Sequence, residues 1–343
     1  MEKKKVLILG GTGFIGLNIV KALVKRTGYE ITIADNLSRG QEDSEVISLT
    51  ENHGVRLIKA DFIDPASFSL LQKEYDFLYM LASVVGVNYT LQHPHEIIRI
   101  NTFLILNTLE WLRQVHVRKV LFTSTSECYA GTIDSFGYKV PTDEKIPLCI
   151  SDISHPRYTY AVTKMLGESG FLNYARMLGF QCTVVRYHNV YGPRMGYKHV
   201  IPHLVERFIQ KENPFQVYGY DQTRSFCYID DAVQGTIAAM ETATEQNEIF
   251  HIGTMEEVTI EHLIRETGKL LGFTGEYINA PTYPGSVSKR CPDIAKAQHL
   301  LGYYPKISLL EGLEKTVNWY QHDLATRISF FEKGFEKPKH DHV

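Results

Sequence analysis

Short aliphatic runs alternate with segments of helical spacing along the first half of the chain. A strand-like run at Lys5–Leu9 is followed by apolar residues at every third or fourth position through Phe14–Arg26. The other strand-like runs are Glu30–Ala34, Val55–Ala60, Phe77–Ala82, Lys119–Thr123 and Gln181–Arg186, and the other helical segments are Pro65–Lys73, Pro94–Gln114 and Arg157–Leu178. Aliphatic strands that alternate with helices are typical of a parallel sheet covered on both faces, so the pattern predicts a doubly wound α/β fold.

A smaller α/β lobe is predicted after residue 190, where the regular alternation ends. Helical segments at Pro202–Gln210, Asp230–Glu241 and Ile260–Leu271 are separated there by short strands such as Glu248–Ile252. We assign residues 1–190 to the sheet domain, to which later segments can return, residues 191–325 to the smaller lobe, and residues 326–343 to a polar tail.

Composition excludes several classes of protein. The 343 residues are 44% hydrophobic and 22% charged with a net charge of -3, and no long basic block predicts nucleic acid as a partner. No apolar run approaches the roughly 20 residues that cross a bilayer, so no membrane partner is expected. Five scattered cysteines without CxxC spacing predict reduced thiols, a cytoplasmic location and no metal site.

The first strand turns into the first helix through a glycine-rich segment, Ile8–Gly16, which reads ILGGTGFIG. Gly10 suits a tight turn, Gly13 lets a pyrophosphate approach the backbone, and Gly16 lets the helix pack closely on the strand. The N–H groups and partial positive charge of the helix N-terminus would then bind the phosphates. The segment therefore predicts a dinucleotide site in a sheet of the Rossmann type.

An acidic residue at the end of the second strand predicts which dinucleotide binds. Asp35 follows Gly16 by about 20 residues, the usual distance for a carboxylate that accepts from the adenosine ribose. It would repel a 2′-phosphate, so NAD is expected rather than NADP, although Arg39 could soften this preference. Asp61, after the third strand, is expected either to reach the adenine or to cap a helix.

Two further segments predict the chemistry. TSTSECYA at Thr123–Ala130 follows the fifth strand and therefore lies at the carboxyl edge of the sheet, beside the nicotinamide end of the dinucleotide. Tyr160 and Lys164 stand four residues apart on one helical face. The ammonium group is expected to lower the pKa of the phenol, so that Tyr160 can take a proton from a sugar hydroxyl while the carbon gives hydride to NAD.

With these segments the chain resembles the extended short-chain dehydrogenase/reductases, in particular the nucleotide-sugar epimerase, dehydratase and decarboxylase group. The resemblance covers roughly residues 4–320 and rests on GGTGFIG, DNLSRG, the Leu81–Ser83 segment, Asn101, TSTSECY, the Tyr160 and Lys164 pair, HNVYGPR, VYGYDQTRSFCYIDD and KRCPDIAKA. It implies an NAD cofactor, a nucleotide-sugar substrate, and a homodimer in which helices Pro94–Gln114 and Arg157–Leu178 pair across the dimer axis.

The resemblance also implies roles for individual residues. Thr125 is expected to bond the sugar 4-hydroxyl, Tyr160 to be the base, and Lys164 to be its partner at the nicotinamide ribose. Substrate contacts are implied for Asn189 at the diphosphate, Val217 and Tyr218 at the nucleotide base, Arg224 and Arg290 at the phosphates, with Arg290 alternatively at the sugar, and for Tyr89 and Arg157. The full set of expected cofactor contacts is Gly10, Gly13, Phe14, Ile15, Gly16, Asp35, Asn36, Asp61, Phe62, Leu81, Ala82, Asn101, Tyr160 and Lys164.

The triplet Thr125, Ser126 and Glu127 bears on the reaction type. After oxidation of the sugar at C4, the family either returns the hydride to give the 4-epimer, eliminates the C6 oxygen, or removes a C6 carboxylate as carbon dioxide. The triplet is similar to that of the decarboxylases and the GDP-mannose-type dehydratases, whereas simple 4-epimerases typically carry no acid at the position of Glu127. Glu127 is therefore a candidate acid or base, the alternative being a hydrogen bond to a nearby backbone N–H.

Finer likeness favours UDP-glucuronate decarboxylases. It lies in the Pro-Arg pair before Tyr158 and in RCPDIAKA from Arg290 onward, and Arg157 would face a substrate carboxylate or oxygen. The chain differs from the family at Ala130, where glycine is usual, and in a YGYDQTR loop that is one residue shorter. The insertion Gly131–Lys145 is expected to form a substrate lid or a surface loop.

Four other functions stay open at this point. The 4-keto sugar could be dehydrated or epimerised, or it could be released together with NADH by a net oxidoreductase. The chain could also be a regulator that binds NAD without catalysis, although such proteins usually lose the tyrosine or the lysine.

Overall fold

The strands and helices are those of a computed structural model, which describes residues 2–282 and 288–332. The strands are β1 (Lys4–Leu9), β2 (Tyr29–Asp35), β3 (Arg56–Lys59), β4 (Glu74–Met80), β5 (His116–Thr125), β6 (Gln181–Tyr187), β7 (Val190–Tyr191), β8 (Phe215–Tyr218), β9 (Thr223–Ser225), β10 (Cys227–Tyr228), β11 (Glu248–Ile252), β12 (Glu257–Thr259), β13 (Tyr277–Ala280) and β14 (Lys289–Arg290). The helices are α1 (Phe14–Leu23), α2 (Ser44–His53), α3 (Val87–Gln92), α4 (Pro94–Leu112), α5 (Ala130–Phe136), α6 (Thr159–Leu178), α7 (Val200–Ile209), α8 (Ile229–Glu241), α9 (Ile260–Leu270), α10 (Ala295–Leu301) and α11 (Leu309–Glu332). Short 3₁₀ helices lie at Pro65–Leu70, Ser126–Tyr129 and Pro156–Tyr158.

Seven parallel strands form the main sheet, in the order β11-β6-β5-β4-β1-β2-β3. Along β1, Val6 and Ile8 belong to a core with α1 and α8, whereas Leu7 and Leu9 belong to a core with α4 and α6. Successive side chains of a strand point to opposite faces, so this division explains why β1 is apolar at every position. The doubly wound parallel sheet predicted from the sequence is confirmed.

The smaller lobe is built on three short sheets. β8 pairs with β13, β9 lies between β12 and β14, and β7 pairs with β10. The chain does not stay in this lobe after residue 190, because α8 packs on α1 and β6 and β11 forms the edge of the main sheet. The carboxyl ends of β5 and β6 therefore face segments of the smaller lobe.

Several segments differ from the sequence expectations. The segment predicted as a helix at Pro65–Lys73 is a 3₁₀ helix that ends at Leu70, and α2 was missed because only Val46 and Leu49 are buried along it. Residues 326–332, assigned above to a polar tail, continue helix α11, and the remaining tail residues 333–343 lie outside the described residues. Among the described helices, none combines the length and apolarity needed to cross a membrane.

Helix α6 lies unusually close to β5. A Cβ at Gly167 would come within 2.2 Å of Cζ of Phe122, whose ring stacks on Phe171 with centroids 4.9 Å apart. The absence of a side chain at Gly167 therefore sets the distance between the helix that carries Tyr160 and Lys164 and the strand that ends at Thr125.

We expect the substitution Gly167→Ala to lower the free energy of unfolding by about 2 kcal/mol, because the stacked Phe122 ring cannot move aside. The matched control is Gly170→Ala in the same helix, where the new Cβ meets only the flexible end of Leu109, at 2.8 Å. Alanine gains about 1 kcal/mol of helix propensity at both positions, so the control should be neutral or stabilising. Urea unfolding measures both, and equal effects would contradict this account of the packing.

Candidate active site

The glycine loop leaves a space that fits a dinucleotide. Gly10 has φ +83, and a Cβ there would meet the Ala82 backbone at 2.7 Å, while a Cβ at Gly16 would meet the Gly10 carbonyl at 2.4 Å. A Cβ at Gly13 would instead meet only that carbonyl, at 3.4 Å, and no side chain caps the helix that begins after it. The turn and the helix packing thus need Gly10 and Gly16, and the open side of Gly13 faces uncapped N–H groups that suit a pyrophosphate.

Asp35 holds two loops together at the edge of the sheet. Its carboxylate accepts from Thr12 N at 3.1 Å, in the glycine loop, and from Leu37 N at 2.8 Å. The neighbouring Asn36 is exposed and accepts from Ser38 N at 3.0 Å. Both side chains lie where the sequence placed them, after β2, and their remaining oxygen lone pairs can accept from ribose hydroxyls.

Some expected cofactor residues have their side chains in other roles. Leu81 and Ala82 donate their N–H groups to the Leu9 carbonyl, at 3.0 and 2.8 Å, which brings their loop over the glycine turn. The Asn101 amide accepts from Val84 N at 2.7 Å and donates to Val84 O at 3.0 Å and to Thr163 Oγ1 at 3.4 Å. Asn101 therefore positions the 81–86 loop.

The two expected cofactor residues after β3, Asp61 and Phe62, also have side chains with other contacts. Asp61 is exposed and accepts from Ile63 N at 3.1 Å, while the cap of the following 3₁₀ helix is Asp64, not Asp61. Phe62 is buried and packs edge-on against Phe68, so only its backbone can face a ligand. Phe14 and Ile15 are half-buried at the start of α1.

Tyr160 and Lys164 lie on α6 beside the end of β5. Lys164 Nζ donates to Thr123 O at 2.9 Å and lies 5.7 Å from the centroid of the Tyr160 ring. Burial lowers the pKa of Lys164 to about 8, opposed by the nearby Cys128 and Glu168.

The expected lowering of the Tyr160 pKa is not produced by the protein. Burial raises the pKa of this phenol, Cys128 and Glu127 add to the rise, and the Arg39 guanidinium opposes it. The i,i+4 spacing alone was therefore a poor guide, because the ammonium group is directed at the Thr123 carbonyl and sits in the same buried environment. Arg39, which the sequence placed only near the ribose, acts on Tyr160 as well.

The triplet after β5 has three different environments. Thr125 Oγ1 accepts from Glu127 N at 3.2 Å and so caps the 3₁₀ helix, while Ser126 is only 2% exposed. Glu127 Oε1 accepts from Arg290 Nη1 at 2.6 Å and lies 3.7 Å from Arg157 Nη2. Within the described residues, the Glu127 carboxylate therefore has guanidinium partners in place of the backbone N–H that was the alternative.

Three arginines surround this single carboxylate. Arg224 and Arg290 are register neighbours on β9 and β14, and Arg157 comes from the 3₁₀ helix before α6. Burial alone would raise the pKa of Glu127, but the charges of Arg290 and Arg157 and the Arg290 hydrogen bond lower it to about 2. Burial and the Arg290 charge lower the pKa of Arg224 to about 9. Glu127 is thus ionised at neutral pH beside a surplus of positive charge.

Several N–H groups of Arg157 and Arg290 have no hydrogen-bond partner within residues 2–282 and 288–332. Nε and Nη2 of Arg290 and Nε of Arg157 are buried without a hydrogen bond, in a cluster where the Arg290 residue is 4% exposed. Buried guanidinium N–H groups are costly when unpaired and match the geometry of carboxylate and phosphate oxygens. The arrangement is therefore suited to an anionic ligand.

Of the other expected substrate residues, Asn189 and Tyr218 are partly exposed, whereas Val217 and Tyr89 are buried. Asn189, with φ +38, donates from Nδ2 to Ser225 O at 2.9 Å, and Tyr218 is half-buried on β8. Val217 is 1% exposed inside the small-lobe core, so its side chain cannot flank a base without a rearrangement. Tyr89 is also buried, donates to Glu96, and belongs to an apolar cluster against which Tyr160 packs.

Sequence reasoning missed two ionic contacts that hold the site together. Arg194, from the HNVYGPR segment, donates to Thr12 O at 3.1 Å and pairs with Asp43 at 2.5 Å, which joins the smaller lobe to the glycine loop. Beneath Lys164, the buried Glu168 pairs with Arg186 at 2.7 Å. Glu168 stands four residues after Lys164, and this spacing was the signal that could have indicated it. Within residues 2–282 and 288–332, no group of three or more metal-ligating side chains converges.

A glycine loop, an acid after the second strand, and a tyrosine and lysine at the sheet edge define a dinucleotide-dependent enzyme. The chain belongs to the NAD dependent epimerase/dehydratase family, whose model matches residues 6–253. This confirms the resemblance drawn from the motifs, and the cofactor is NAD.

Relatives of known function include two decarboxylases. The chain is 33% identical over 329 residues to UDP-N-acetyl-alpha-D-glucosaminuronate decarboxylase of Bacillus cytotoxicus, covering 93% of this chain and 98% of the relative. It is 30% identical over 341 residues to UDP-glucuronic acid decarboxylase 1 of Xenopus tropicalis, covering 98% of this chain and 76% of the relative.

Similar solved structures include two epimerases. UDP-glucose 4-epimerase of Thermotoga maritima superposes with a TM-score of 0.80 at 31% identity, covering 93% of this chain and 99% of that one. UDP-glucuronic acid 4-epimerase of Bacillus cereus superposes with a TM-score of 0.81 at 26% identity, with the same coverage.

We expect Glu127→Gln to lower the free energy of unfolding by about 3 kcal/mol at pH 7, because it leaves the buried Arg290 without its anion. The pKa of Glu127 is about 2 in the folded protein, below its ordinary 4.5. Its stabilisation is therefore complete above pH 4.5 and is lost as the pH falls toward 2. Urea unfolding of both proteins from pH 7 to pH 3 should show the difference shrinking below pH 4.5.

The matched control is Glu311→Gln, which removes an exposed helical pair with Lys315 and should change stability by less than about 0.5 kcal/mol. A difference between wild type and Glu127→Gln that stays constant down to pH 3 would show that Glu127 is not paired as described.

Proposed function

We propose that this enzyme decarboxylates a nucleotide-activated sugar acid of the UDP-glucuronate type after oxidising the sugar at C4. The supporting observation is the cluster of Arg157, Arg224 and Arg290 around Glu127. Three buried N–H groups of Arg157 and Arg290 have no partner in the described part of the chain. A nucleotide sugar acid brings a diphosphate and a C6 carboxylate, and both are anions that a guanidinium binds in a bidentate manner. The decarboxylases among the relatives agree with this choice.

Arg224 and Arg290 are neighbours on β9 and β14, and Arg157 approaches from the side of α6. Tyr160 lies on α6 itself, three residues after Arg157. Arg224 is thus best placed for the diphosphate, and Arg157 and Arg290 for the end of the sugar that reacts. Neutralising several anions with arginines in a buried site strengthens each contact, because screening by water is weak there.

Oxidation at C4 needs a base for the hydroxyl proton. In its phenolate form Tyr160 accepts this proton, Thr125 bonds the same hydroxyl, and Lys164 stabilises the phenolate. Because burial raises the pKa of Tyr160 in the ligand-free protein, its own proton must first be lost to solvent. NAD, when bound in the glycine-loop cleft, supplies the acceptor for the C4 hydride. Glycine-loop N–H groups hold its pyrophosphate and Asp35 its adenosine ribose.

Loss of carbon dioxide follows from the position of the new ketone. The C6 carboxylate is β to the C4 carbonyl, so the C5–C6 bond can break with its electron pair delocalised onto the C4 oxygen, and C5 then takes up a proton. The hydride taken from C4 would then return from the reduced cofactor to C4 while Tyr160 gives the proton back to the C4 oxygen, so the net change is the loss of carbon dioxide. The charges of Arg290 and Arg157 hold Glu127 ionised at neutral pH. Its role is to orient Arg157 and Arg290 around the carboxylate that leaves.

The same arginine cluster would also suit a 4-epimerase that acts on a sugar acid, and this is the second candidate, favoured by the uronate epimerase among the similar structures. Dehydration, net oxidation and an NAD-binding regulator are the other outcomes that the test must separate.

The test is incubation of the NAD-loaded enzyme with UDP-, GDP-, CDP- and dTDP-sugars, including UDP-glucuronate, followed by mass spectrometry. We expect UDP-glucuronate to lose about 44 mass units as carbon dioxide, with Tyr160→Phe reducing turnover by about 10³-fold while NAD still binds. A loss of about 18 units would mean dehydration, and an unchanged mass with altered sugar NMR couplings would mean epimerisation. NADH accumulation would mean net oxidation. A regulator would turn over none of the sugars, would bind NAD, and would keep its regulatory function in the Tyr160→Phe variant.

The state of the cysteines bears on the compartment. All five are free thiols, and four of them are buried. Free thiols of this kind favour a reducing compartment, for which we infer the cytoplasm.

We infer that the enzyme is a homodimer that pairs through α4 and α6. These helices pack on each other and expose large apolar side chains on their outer surface, namely Ile98, Phe103, Leu106, Val162 and Leu166. Contiguous apolar patches of this kind mark interfaces. A second copy of the same helix pair would cover the patch as a four-helix bundle, as the family resemblance implies.

We expect Phe103→Glu to convert the dimer to a monomer in light scattering at micromolar concentration, because it places a charge in the apolar interface. The control is the same substitution at Phe136, which is exposed on α5. Phe136→Glu should leave the dimer intact. A wild-type protein that is monomeric at every concentration would refute the proposed interface.

A further inference from the structure

A buried group of three rings lies close to Arg290. Tyr129, His188 and His251 are completely buried, and the Tyr129 hydroxyl lies 2.7 Å from Nε2 of His188. The two imidazole centroids are 5.0 Å apart, and those of Tyr129 and His251 are 5.5 Å apart. The rings come from the 3₁₀ helix that carries Glu127, from the loop before β7, and from β11, so the group joins three elements around the site.

Both histidines are neutral. Burial and the nearby positive charges lower the pKa of His188, and burial and the Arg186 guanidinium lower the pKa of His251 to about 3. Nδ1 of His251 lies 3.0 Å from the Thr142 carbonyl, which can only accept. The proton of this imidazole is therefore on Nδ1, and His251 acts as a donor of fixed direction.

Thr142 connects His251 to the backbone that follows Arg290. Its N–H donates to Cys291 O at 2.9 Å, and its carbonyl accepts from Asp293 N at 2.7 Å as well as from His251. The strand that carries Arg290 is thus held on its C-terminal side by a fully buried threonine. On its side-chain end, Arg290 is held by Glu127.

The insertion that contains Thr142 has a second anchor. The Glu144 carboxylate accepts from the backbone N–H of His251 at 3.0 Å. The Glu144 backbone carbonyl accepts from Arg186 Nη1 at 3.2 Å. The C-terminal part of the Gly131–Lys145 insertion is therefore fixed to the main sheet. Of the two expectations for the insertion, neither a lid nor a surface loop describes this part of it.

We propose that His251, supported by His188 and Tyr129, is a positioning residue for Arg290: it fixes Thr142, and Thr142 fixes the backbone beside Arg290 in the register that meets the substrate carboxylate. This inference rests on the proposed function. Without the His251 donor, the Thr142 carbonyl loses one of its two N–H partners, so the contact of Thr142 with residues 291–293 loosens and the Arg290 guanidinium relaxes onto Glu127 at the expense of the substrate.

The test measures ligand binding by calorimetry in the Tyr160→Phe background, which prevents turnover, with NAD present. The probes are UDP-glucuronate and UDP. We expect UDP-glucuronate to bind more tightly than UDP before any further change, and His251→Phe to weaken UDP-glucuronate about tenfold while UDP and NAD change less than about twofold. His251→Asn keeps an N–H close to the position of Nδ1 and should restore most of the affinity.

Two further variants separate positioning from general damage. Combined with Arg290→Lys, His251→Phe should add no further loss, because both changes act on one contact. Thr183→Val removes a buried hydroxyl from the same sheet that has no hydrogen-bond partner among the described residues, and it should leave all three affinities unchanged.

The outcomes distinguish the two proposals. Equal binding of UDP and UDP-glucuronate before the His251 change would overturn the proposed substrate and this inference with it. Clear discrimination that survives His251→Phe, or a loss that His251→Asn does not rescue, would overturn the positioning role alone. If His251→Phe does not fold by circular dichroism, Tyr129→Phe replaces it and should show a smaller loss for UDP-glucuronate only, and no loss there would overturn the inference.

Discussion

The contact between Glu127 and Arg290 joins two parts of the chain that are 163 residues apart, one at the end of β5 and one on β14 of the smaller lobe. Glu127, together with Asp134, which also acts on Arg224 and Arg290, cannot neutralise three arginines, so a net positive charge remains where the two lobes meet. A buried ion pair contributes little stability when set against apolar packing. Its value here lies in the direction it gives to Arg290, whose Nε and Nη2 have no hydrogen-bond partner among the residues that the structure describes.

The cofactor end and the anion end of the site depend on different physics. At the glycine loop, steric fit determines which ligand can bind. Gly10 and Gly16 leave no room for side chains, and Gly13 leaves the N-terminus of α1 without a side-chain cap among the described residues. At the arginine cluster, the positive charge determines which ligand is favoured. Arg194 links the two ends, since it belongs to the smaller lobe and pairs with Asp43 and Thr12 O beside the glycine loop.

The sequence allowed the main sheet and the general position of the site to be predicted, because these depend on local patterns. The β1 strand is apolar throughout since both its faces are covered, and Tyr160 and Lys164 share a face by helical spacing. The pairing of Glu127 with Arg290 could not be predicted, because it depends on how distant segments meet. The helix α2 escaped notice because it buries only two side chains, and its N-cap, Asp43, was overlooked.

The failed expectation about Tyr160 shows what a spacing argument omits. A nearby ammonium group favours the phenolate when both groups are exposed to water. Here both groups are buried, and burial disfavours the charged form of each. The pKa of the lysine falls to about 8 and that of the phenol rises, so the resting pair is an ammonium beside a neutral tyrosine at pH 7. The Thr123 carbonyl occupies one of the three Lys164 donors and leaves two for a ribose hydroxyl and the phenol oxygen. Proton transfer to Tyr160 therefore depends on bound ligands that redirect the two remaining Lys164 N–H donors. The chemistry is thereby coupled to the binding of NAD and of the sugar nucleotide.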